Sequence, residues 1–257
     1  MINQSLAVAR DRLRPFLAAA TTHTGWGPGP YGRARRLDPD RAWDYMAKSR
    51  ELIWKSEAVL DIGTGGGERF AEVAGGLSVR AVATEAWVVN APVAARRLGP
   101  LRIGLLWCDD EVLPLQDSTF DLVLNRHASF DVGEIARVLR PGGTFCTEQV
   151  SRDHWRELQR YFPRATAGVG EIFGGHLPEL EPNGLEVVDF QSETVPAAYA
   201  DLGNMLYMLC ITPWTISGFD PLGSDLEPLL ALERDLTTAD GIILTQGHEL
   251  LEARKLA

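Results

Sequence analysis

A glycine-rich turn that follows a short apolar strand constrains this chain more than any other feature of its sequence. The segment VLDIGTGGG, at 59–67, places the acid Asp61 in the strand and then Gly63, Gly65 and Gly67 at alternate positions. Glycine allows a tight turn and lets backbone N–H groups approach a ligand closely. The turn therefore predicts a ligand-binding loop between a buried strand and a helix.

Strands and helices alternate on both sides of this turn. Apolar runs predict strands at 58–63, 79–85, 101–107, 120–127 and 144–150, with helical segments between them. Strand–helix–strand units at this spacing predict a parallel sheet. Two more strands are predicted at 185–191 and 248–256. The expected fold is α/β, with a doubly wound, mostly parallel, seven-stranded sheet.

Two segments extend this domain. Residues 1–56 are expected to form an N-terminal helical arm, with helices at 1–20 and 38–56 and a loop rich in glycine and aromatic residues at 22–32. Asp38 and Pro39 are the expected start of the second helix, because Asp caps helices and Pro favours their first position. Residues 57–257 form the expected binding domain. Helical patterns at 200–212 and 226–236 predict an inserted cap at about 195–241, since about 50 residues are too many for a hairpin turn.

Composition limits the classes of protein to consider. The N-terminus has early charges and lacks the uninterrupted apolar core of a signal peptide, and the chain has no apolar run long enough for a membrane span. Its three cysteines lack metal-ligand spacing. We therefore expect a cytoplasmic monomer or homodimer without a metal site. The net charge of −10 argues against a protein that coats nucleic acid, although residues 1–50 alone carry +5.

The acid before the turn indicates which ligand the loop binds. A dinucleotide loop cradles an anionic pyrophosphate, which a carboxylate at Asp61 would oppose. An acid followed by GxGxG instead resembles the first motif of the class I, S-adenosylmethionine-dependent methyltransferases, whose cofactor carries an ammonium and a sulfonium group. The segments NRHASF, at 125–130, GGTFCTEQV, at 142–150, and HELLEARK, at 248–255, further resemble the bacterial subgroup of methyltransferase type 11. The resemblance implies S-adenosylmethionine as cofactor and S-adenosylhomocysteine as product.

Later segments match further motifs of that family in the same order. Glu85 ends the second predicted strand, where the family has an acid for the ribose hydroxyls. The Trp87 side chain could pack on the adenine ring or in the protein core, and the sequence leaves both interpretations open. Counting back from Leu113-Pro114, Asp109 matches the acid for the adenine amino group, and Asp110 matches a backbone contact to the ring. The run RVLRPGGTF, at 137–145, matches the helix, turn and fifth strand that follow the fourth strand in the family, and their role there is structural.

The resemblance thus implies a cofactor site that is formed by residues at the ends of several strands. Its expected members are Asp61, Gly63, Thr64, Gly65, Gly67, Glu85, Ala86, Asp109, Asp110 and Asn125.

Residues after the fourth predicted strand should face the acceptor, since ligands of this fold bind at the carboxyl ends of the strands. His127 is the first candidate base, because an unperturbed imidazole titrates near neutrality. Arg126 is expected to pair with Asp131 or Glu134. Either Glu148 or Gln149 should line the pocket, because neighbouring side chains of a strand point to opposite faces.

Glu148 is the second candidate catalytic residue, and His23 is the third. With Trp26 and Tyr31, His23 could close the loop at 22–32 over the substrate, or these rings could simply pack on the core. His154, His176 and His248 receive no role.

Three functions remain open at this point. A methyltransferase acting on oxygen, nitrogen or carbon of a small molecule fits the acidic body and the inserted cap. An RNA methyltransferase, acting on rRNA or tRNA, would use the basic arm. A non-catalytic protein that binds S-adenosylmethionine would also retain Asp61, Glu85 and Asp109.

Overall fold

The chain begins with a long helix and ends with a long strand, and helices alternate with strands between them. The computed structural model describes residues 2–25, 27–38, 40, 42–76, 78–166 and 175–256. Within these residues no helix is both long and apolar enough to cross a membrane. The α-helices are α1 (Ile2–Thr21), α2 (Tyr45–Trp54), α3 (Glu68–Ala74), α4 (Ala91–Leu98), α5 (Val132–Val138), α6 (Leu177–Leu180), α7 (Leu202–Ile211) and α8 (Leu226–Leu236). Short 3₁₀ helices lie at Gly99–Leu101, Arg156–Arg160 and Glu181–Asn183.

The strands form one sheet that is parallel on one side and antiparallel on the other. They are β1 (Arg35–Arg36), β2 (Ala58–Ile62), β3 (Arg80–Glu85), β4 (Gly104–Trp107), β5 (Phe120–Arg126), β6 (Leu139–Val150), β7 (Leu185–Tyr199), β8 (Thr237–Thr238) and β9 (Gly241–Lys255). The order is β1-β7-β9-β6-β5-β2-β3-β4, with β8 paired to β9. Strands β2 to β6 pair in parallel, whereas β9 runs antiparallel to β6 and β7.

This order confirms the doubly wound α/β fold. Strand order reverses between β2 and β5, and ligands of such sheets bind in the crevice beyond that point. The central strands are the most apolar, with Val59, Leu60 and Val123 fully buried between two hydrophobic clusters. The sheet has nine strands among the described residues rather than seven, because β1 and β8 add two-residue pairings at its antiparallel side.

Strands β7 and β9 are much longer than predicted. They pair from Leu185 with Lys255 to Tyr199 with Ile242, far beyond the predicted limits of 191 and 248. The polar residues and Pro196 in the second half of β7 concealed this extension, since proline is rare inside strands. The extension carries the pair past the edge of the parallel sheet, where the segment at 200–240 connects them.

Helix α2 starts later than the sequence indicates. Asp44, rather than Asp38, is its N-cap, and the Asp44 carboxylate accepts hydrogen bonds from Met46 N and Ala47 N. Pro39, the other half of the expected start signal, lies outside the described residues. Both acids are good capping residues, and the sequence pattern alone did not separate them.

The N-terminal helix shares a hydrophobic core with the segment between β7 and β9. Ala9 and Leu13 of α1 belong to the same cluster as Leu206 of α7, Leu229 of α8 and Phe162. Gly203 lies against the ring of Phe16, so that a Cβ there would meet Phe16 at 2.3 Å. We therefore propose that the predicted arm and cap form one unit over the end of the sheet.

This shared core generates the first prediction. Leu13 is completely buried, so Leu13→Ala should lower the free energy of unfolding by about 2–5 kcal/mol. Val8→Ala is the matched control on the same helix, because Val8 is 70% exposed and should shift the melting temperature little. Thermal melts followed by circular dichroism measure both. Equal shifts for the two variants would contradict the packing of α1 on the cap.

Candidate active site

The glycine-rich loop joins β2 to α3 and is held against the neighbouring strand. Gly63, Gly65 and Gly67 all adopt left-handed backbone conformations, with φ of 67°, 63° and 77°. The Gly65 N–H donates to Glu85 Oε2 at 2.6 Å, and Glu85 Oε1 accepts from Trp87 N at 2.8 Å. Glu85 therefore fixes both the loop and the chain that leaves β3.

A second contact holds the start of the loop. The Gly63 N–H donates to Thr84 Oγ1 at 3.2 Å, and the Thr84 hydroxyl donates to Asp110 Oδ1 at 3.0 Å. A Cβ at Gly63 would meet Ala128 Cβ at 2.1 Å, which is closer than two carbons can approach. The glycine is thus required both by its φ and by the chain that follows β5.

Three desolvated carboxyl groups surround this loop. Burial raises the pKa of Asp61 to about 7 and that of Glu85 to about 7, and it raises the pKa of Asp110 to about 6. Repulsion from neighbouring acids adds to each increase: from Asp110 and Glu85 at Asp61, from Asp110 at Glu85, and from Asp109 and Glu111 at Asp110. The site therefore disfavours its own negative charge, and a bound cation would relieve this cost.

The loop also contains a polar atom without a partner. The Thr64 hydroxyl is buried, and its interaction with Asp61 lowers the pKa of that acid, yet no hydrogen bond of normal geometry to the hydroxyl is present among the described residues. Asp109 and Ala86 are exposed at the ends of the neighbouring strands. An unpaired hydroxyl and three acids fit a ligand that combines positive charge with hydrogen-bonding groups, as the expected cofactor does.

Asn125 lies beside this site but is enclosed by protein. It is fully buried, its amide nitrogen lies 3.4 Å from Ile62 O, and its Oδ1 accepts from Thr147 Oγ1 at 3.0 Å and Gln149 Nε2 at 2.5 Å. The side chain is thus saturated. The structure favours a role for Asn125 in joining β2, β5 and β6 rather than the direct cofactor contact that the sequence analysis expects.

A cavity of about 700 Å³ lies beyond the carboxyl ends of β5 and β6, beneath α7. Its apolar wall includes Val150, Trp155, Tyr199, Met208 and Ile211. It borders the cofactor elements at Trp87 on one side and at His127 on the other.

Two tryptophan rings mark the side of the cavity that borders the cofactor elements. Trp87, on the chain that leaves β3, and Trp214, on the cap, are each 47% exposed, and their ring centroids are 6.0 Å apart. Trp87 is therefore not a core residue, which rules out core packing, one of the two interpretations that the sequence left open.

Glu148 is a supporting residue rather than part of the cavity wall. Its Oε1 accepts from Arg126 Nε at 2.7 Å, and its Oε2 accepts from the Trp43 indole at 2.7 Å. The expected pairing of Arg126 with Asp131 or Glu134 is wrong, because β5 and β6 place Arg126 directly beside Glu148 in register. Gln149, the alternate candidate, lines the cavity.

His127 lines the cavity from the chain that follows β5. Its φ of 58° is unusual for a residue other than glycine, and its N–H donates to Glu148 O at 3.0 Å. Nδ1 is buried without a hydrogen-bond partner among the described residues. Burial, with Arg126 as the next cause, holds the pKa of His127 well below its usual value, so the imidazole is neutral at pH 7.

Two further histidines line the same cavity, and the sequence analysis gave them no role. His154 follows β6, and His248 lies in β9. The ring centroids of His248 and His127 are 5.6 Å apart, and those of His248 and His154 are 5.4 Å apart. The side chains of the described residues include no group of three or more His, Cys, Asp or Glu arranged to hold a metal ion.

His23 joins the N-terminal loop to the cap. Its Nε2 lies 3.2 Å from Gly25 O, which can only accept, so Nε2 carries the hydrogen and Nδ1 accepts from Tyr207 OH at 2.8 Å. Both ring nitrogens are therefore engaged, which favours a structural role over that of a free base. Tyr31 packs edge-on against Tyr207 and Phe16, whereas Trp26 lies outside the described residues.

Comparisons with known proteins support the same family. A family model described as a methyltransferase domain matches residues 60–147. The ubiquinone/menaquinone biosynthesis C-methyltransferase UbiE of Nitrosospira multiformis is 29% identical over 154 residues, which cover 51% of this chain and 63% of that protein. The chain thus matches less than two-thirds of this relative's length.

Two solved structures show the fold. A protein from Bacillus halodurans C-125, described as a candidate methyltransferase, superposes with a TM-score of 0.55 and 20% identity, covering 83% of this chain and 99% of its own. The [4+2]-cyclase SpnF also superposes with a TM-score of 0.55 and 20% identity, covering 95% and 93%. The motif order, the reversed sheet and the family model over residues 60–147 together identify a class I, S-adenosylmethionine-dependent methyltransferase domain in this chain.

Proposed function

We propose that this protein transfers a methyl group from S-adenosylmethionine to a small organic acceptor held in the cavity beneath α7. The position of the cavity carries the proposal. It lies at the carboxyl edge of the sheet, it borders the cofactor elements at Trp87 and His127, and its volume of about 700 Å³ is in the range of small-molecule sites.

The cofactor, when bound, supplies an electrophilic methyl group. On the protein side, Asp61, Glu85 and Asp110 provide negative charge that burial has left uncompensated. The left-handed glycines leave room for a ligand against the loop backbone, and Glu85 fixes the loop through Gly65. These residues bind and orient, which is the main contribution an enzyme makes to an in-line displacement.

The acceptor side combines an apolar wall with a few polar groups. Residues of the cap and of the N-terminal loop line it, and they shield part of the acceptor side from water. His127 lines this side, and it is the residue that we assign to proton transfer. Arg126 and Glu148 hold the chain around His127 in place.

The RNA alternative depends on the basic N-terminal arm, and the structure gives it little support. Most of the arm's basic side chains with described positions form ion pairs with acids of the arm or the body, among them Arg12 with Glu233 and Arg36 with Glu193. Lys48 pairs with both Asp189 and Glu252. Paired cations are poor phosphate ligands, because binding would have to break each pair first.

The fold by itself does not imply methyl transfer, since one of its relatives is described as a [4+2]-cyclase. The decisive experiment must therefore follow the methyl group. We expect methyl-labelled S-adenosylmethionine to label the organic extract of a metabolite pool and to leave lysate RNA unlabelled. Label in RNA would support the alternative, and no label in either fraction would contradict the proposal.

Ile211→Trp tests whether the cavity holds the acceptor. Ile211 lines the cavity from the end of α7, so a larger ring there should narrow the acceptor space. Transfer of label should fall at least about tenfold, as expected when an acceptor is displaced from its reactive position. Affinity for S-adenosylhomocysteine, measured by calorimetry, should stay within a few-fold. Normal transfer by this variant would place the acceptor elsewhere.

The raised pKa values of the acids predict how cofactor affinity depends on pH. A carboxyl group with a pKa of about 7 is mostly protonated at pH 6 and mostly ionised at pH 8. Only the ionised form attracts an ammonium group, so affinity for S-adenosylhomocysteine should rise with pH, by about tenfold per such group. Calorimetry across this range measures it. Asp61→Asn should flatten the rise, and NAD should not bind, because its pyrophosphate would face the same acids.

Glu85 provides a separate test of the cofactor site. Glu85→Ala should weaken S-adenosylhomocysteine binding by about one to two decades, because it removes a charged acceptor and releases Gly65. Glu85→Gln should be milder, since one acceptor oxygen remains. Glu72→Ala, on the exposed face of α3, is the control. Unchanged affinity in Glu85→Ala would refute the assignment.

A further inference from the structure

The charged side chains in the wall of the cavity beneath α7 are of one sign. Asp and Glu make up 35 of the 257 residues of the chain, yet none of the described residues that line this cavity is an acid. Arg33 and Arg126 do line it, and the other polar side chains of the wall are imidazoles, hydroxyls, amides and indoles. The described lining therefore offers cations and neutral hydrogen-bonding groups to a ligand, and no carboxylate.

Arg33 brings a positive charge that no acid of the described residues balances. It belongs to the N-terminal loop, and its side chain makes no hydrogen bond or ion pair with any other residue that the structure describes. The next two arginines differ, since Arg35 pairs with Asp240 at 2.7 Å and Arg36 pairs with Glu193 at 2.6 Å. Of these three arginines, Arg33 is the one that lines the cavity. Its charge is therefore available to a ligand.

Arg126 adds hydrogen-bond donors that a ligand can reach. Its Nε donates to Glu148 Oε1 at 2.7 Å, so Glu148 balances its charge. The two terminal nitrogens donate to no other described residue, and the side chain is 30% exposed and lines the cavity. A guanidinium carries five N–H donors in a fixed fork, so the bond to Glu148 leaves donors for a second oxyanion. The Tyr45 ring, whose centroid lies 5.9 Å from Arg126 Cζ, helps to hold the fork in place.

These two arginines select the charge of the ligand. A cationic group would share the cavity with Arg33 and Arg126 and would find no acid of the described lining to pair with, which is costly for a charge that leaves water. A neutral group would leave the open donors to water. An oxyanion would pair with Arg33 and accept from the terminal nitrogens of Arg126, and the bond between Arg126 and Glu148 could remain. The lining thus matches an organic anion.

We propose that the cavity binds an acceptor that carries a carboxylate or a phosphate on an apolar body, and that Arg33 and Arg126 bind this oxyanion. The apolar wall, including Trp155, Met208 and Ile211, suits the body of such a molecule. The oxyanion fixes one end of the acceptor, and this limits which of its atoms can approach the methyl group of the cofactor. The inference rests on the proposed function and names the class of its acceptor.

Four naphthalene probes that differ in charge test this assignment. With S-adenosylhomocysteine present, 2-naphthoate and 2-naphthyl phosphate should each bind at least about tenfold more tightly than the neutral methyl 2-naphthoate, because charge-assisted hydrogen bonds are stronger than neutral ones. The cation, protonated 2-naphthylmethylamine, should bind no better than the ester. Calorimetry at pH 7 measures all four affinities, and the tighter of the two anions identifies the group as a carboxylate or a phosphate.

Arginine variants test which residues bind the anion. Arg33→Gln should reduce the ratio of naphthoate to ester affinity by about two- to fivefold, since Arg33 is exposed, and Arg33→Glu should raise the affinity of the amine above that of the ester. Arg126→Lys keeps a charge beside Glu148 but removes the fork, and it should reduce the ratio by about tenfold. Arg35→Gln is the matched control, because it removes the same charge outside the cavity and should leave the ratio unchanged.

The outcomes separate this proposal from the one on which it rests. A general change in the cavity weakens the ester as well, so the ratio of affinities isolates the effect of charge. Equal binding of the anions and the ester, including failure of all probes to bind, overturns the anion assignment, and methyl transfer to metabolites would still stand. A ratio that is unchanged in Arg33→Gln or in Arg126→Lys overturns the role of that arginine. Anions that bind as expected while no metabolite takes up label would contradict the proposed function and leave the anion site standing.

Discussion

The hydrogen bond from Gly65 to the Glu85 carboxylate is the contact on which the architecture of the site depends. It joins the loop after β2 to the end of β3, so two adjacent parallel strands present one surface. A buried carboxylate can be retained only where it is hydrogen-bonded, and the two backbone donors at Gly65 and Trp87 satisfy both of its oxygens. The same acid thus fixes the loop geometry and places Trp87 at the edge of the cavity.

The cavity beneath α7 exists because β7 and β9 continue beyond the parallel part of the sheet. Their antiparallel pairing extends to Tyr199 and Ile242, and it carries α7 over the carboxyl edge where the parallel strands end. Helix α1 packs on this projecting layer, and His23 ties the following loop to Tyr207. The N-terminal segment, which looks like an independent arm in the sequence, therefore helps to close the site.

Local motifs could be predicted from the sequence, whereas long-range contacts could not. The acid, the alternate glycines and Glu85 lie within one strand–helix–strand unit, so their spacing alone indicated their proximity. Glu148 was predicted at the correct edge of the sheet, but its partners Trp43 and Arg126 depend on how α2 packs on β5 and β6.

His154 and His248 were missed because their proximity depends on the β6–β9 register. The available signal was that His248 opens a predicted strand and that His154 follows another, both at the edge where His127 lies.

The acids at the glycine loop disfavour negative charge, whereas the imidazoles that line the cavity disfavour positive charge. These two parts of the site therefore suit different ligands. Folding raises the pKa of these acids, so they ionise at lower cost in the unfolded chain. The free energy of unfolding therefore decreases as the pH rises through about 6 to 7.

Imidazoles whose pKa is lowered on folding oppose stability as the pH falls below about 6.5, because the unfolded chain then binds protons that the folded chain refuses. A cation bound at the glycine loop relieves the first cost. The fold holds these two environments side by side at the carboxyl edge of β2 and β5, so the positive charge of the family's cofactor suits the first of them and not the second.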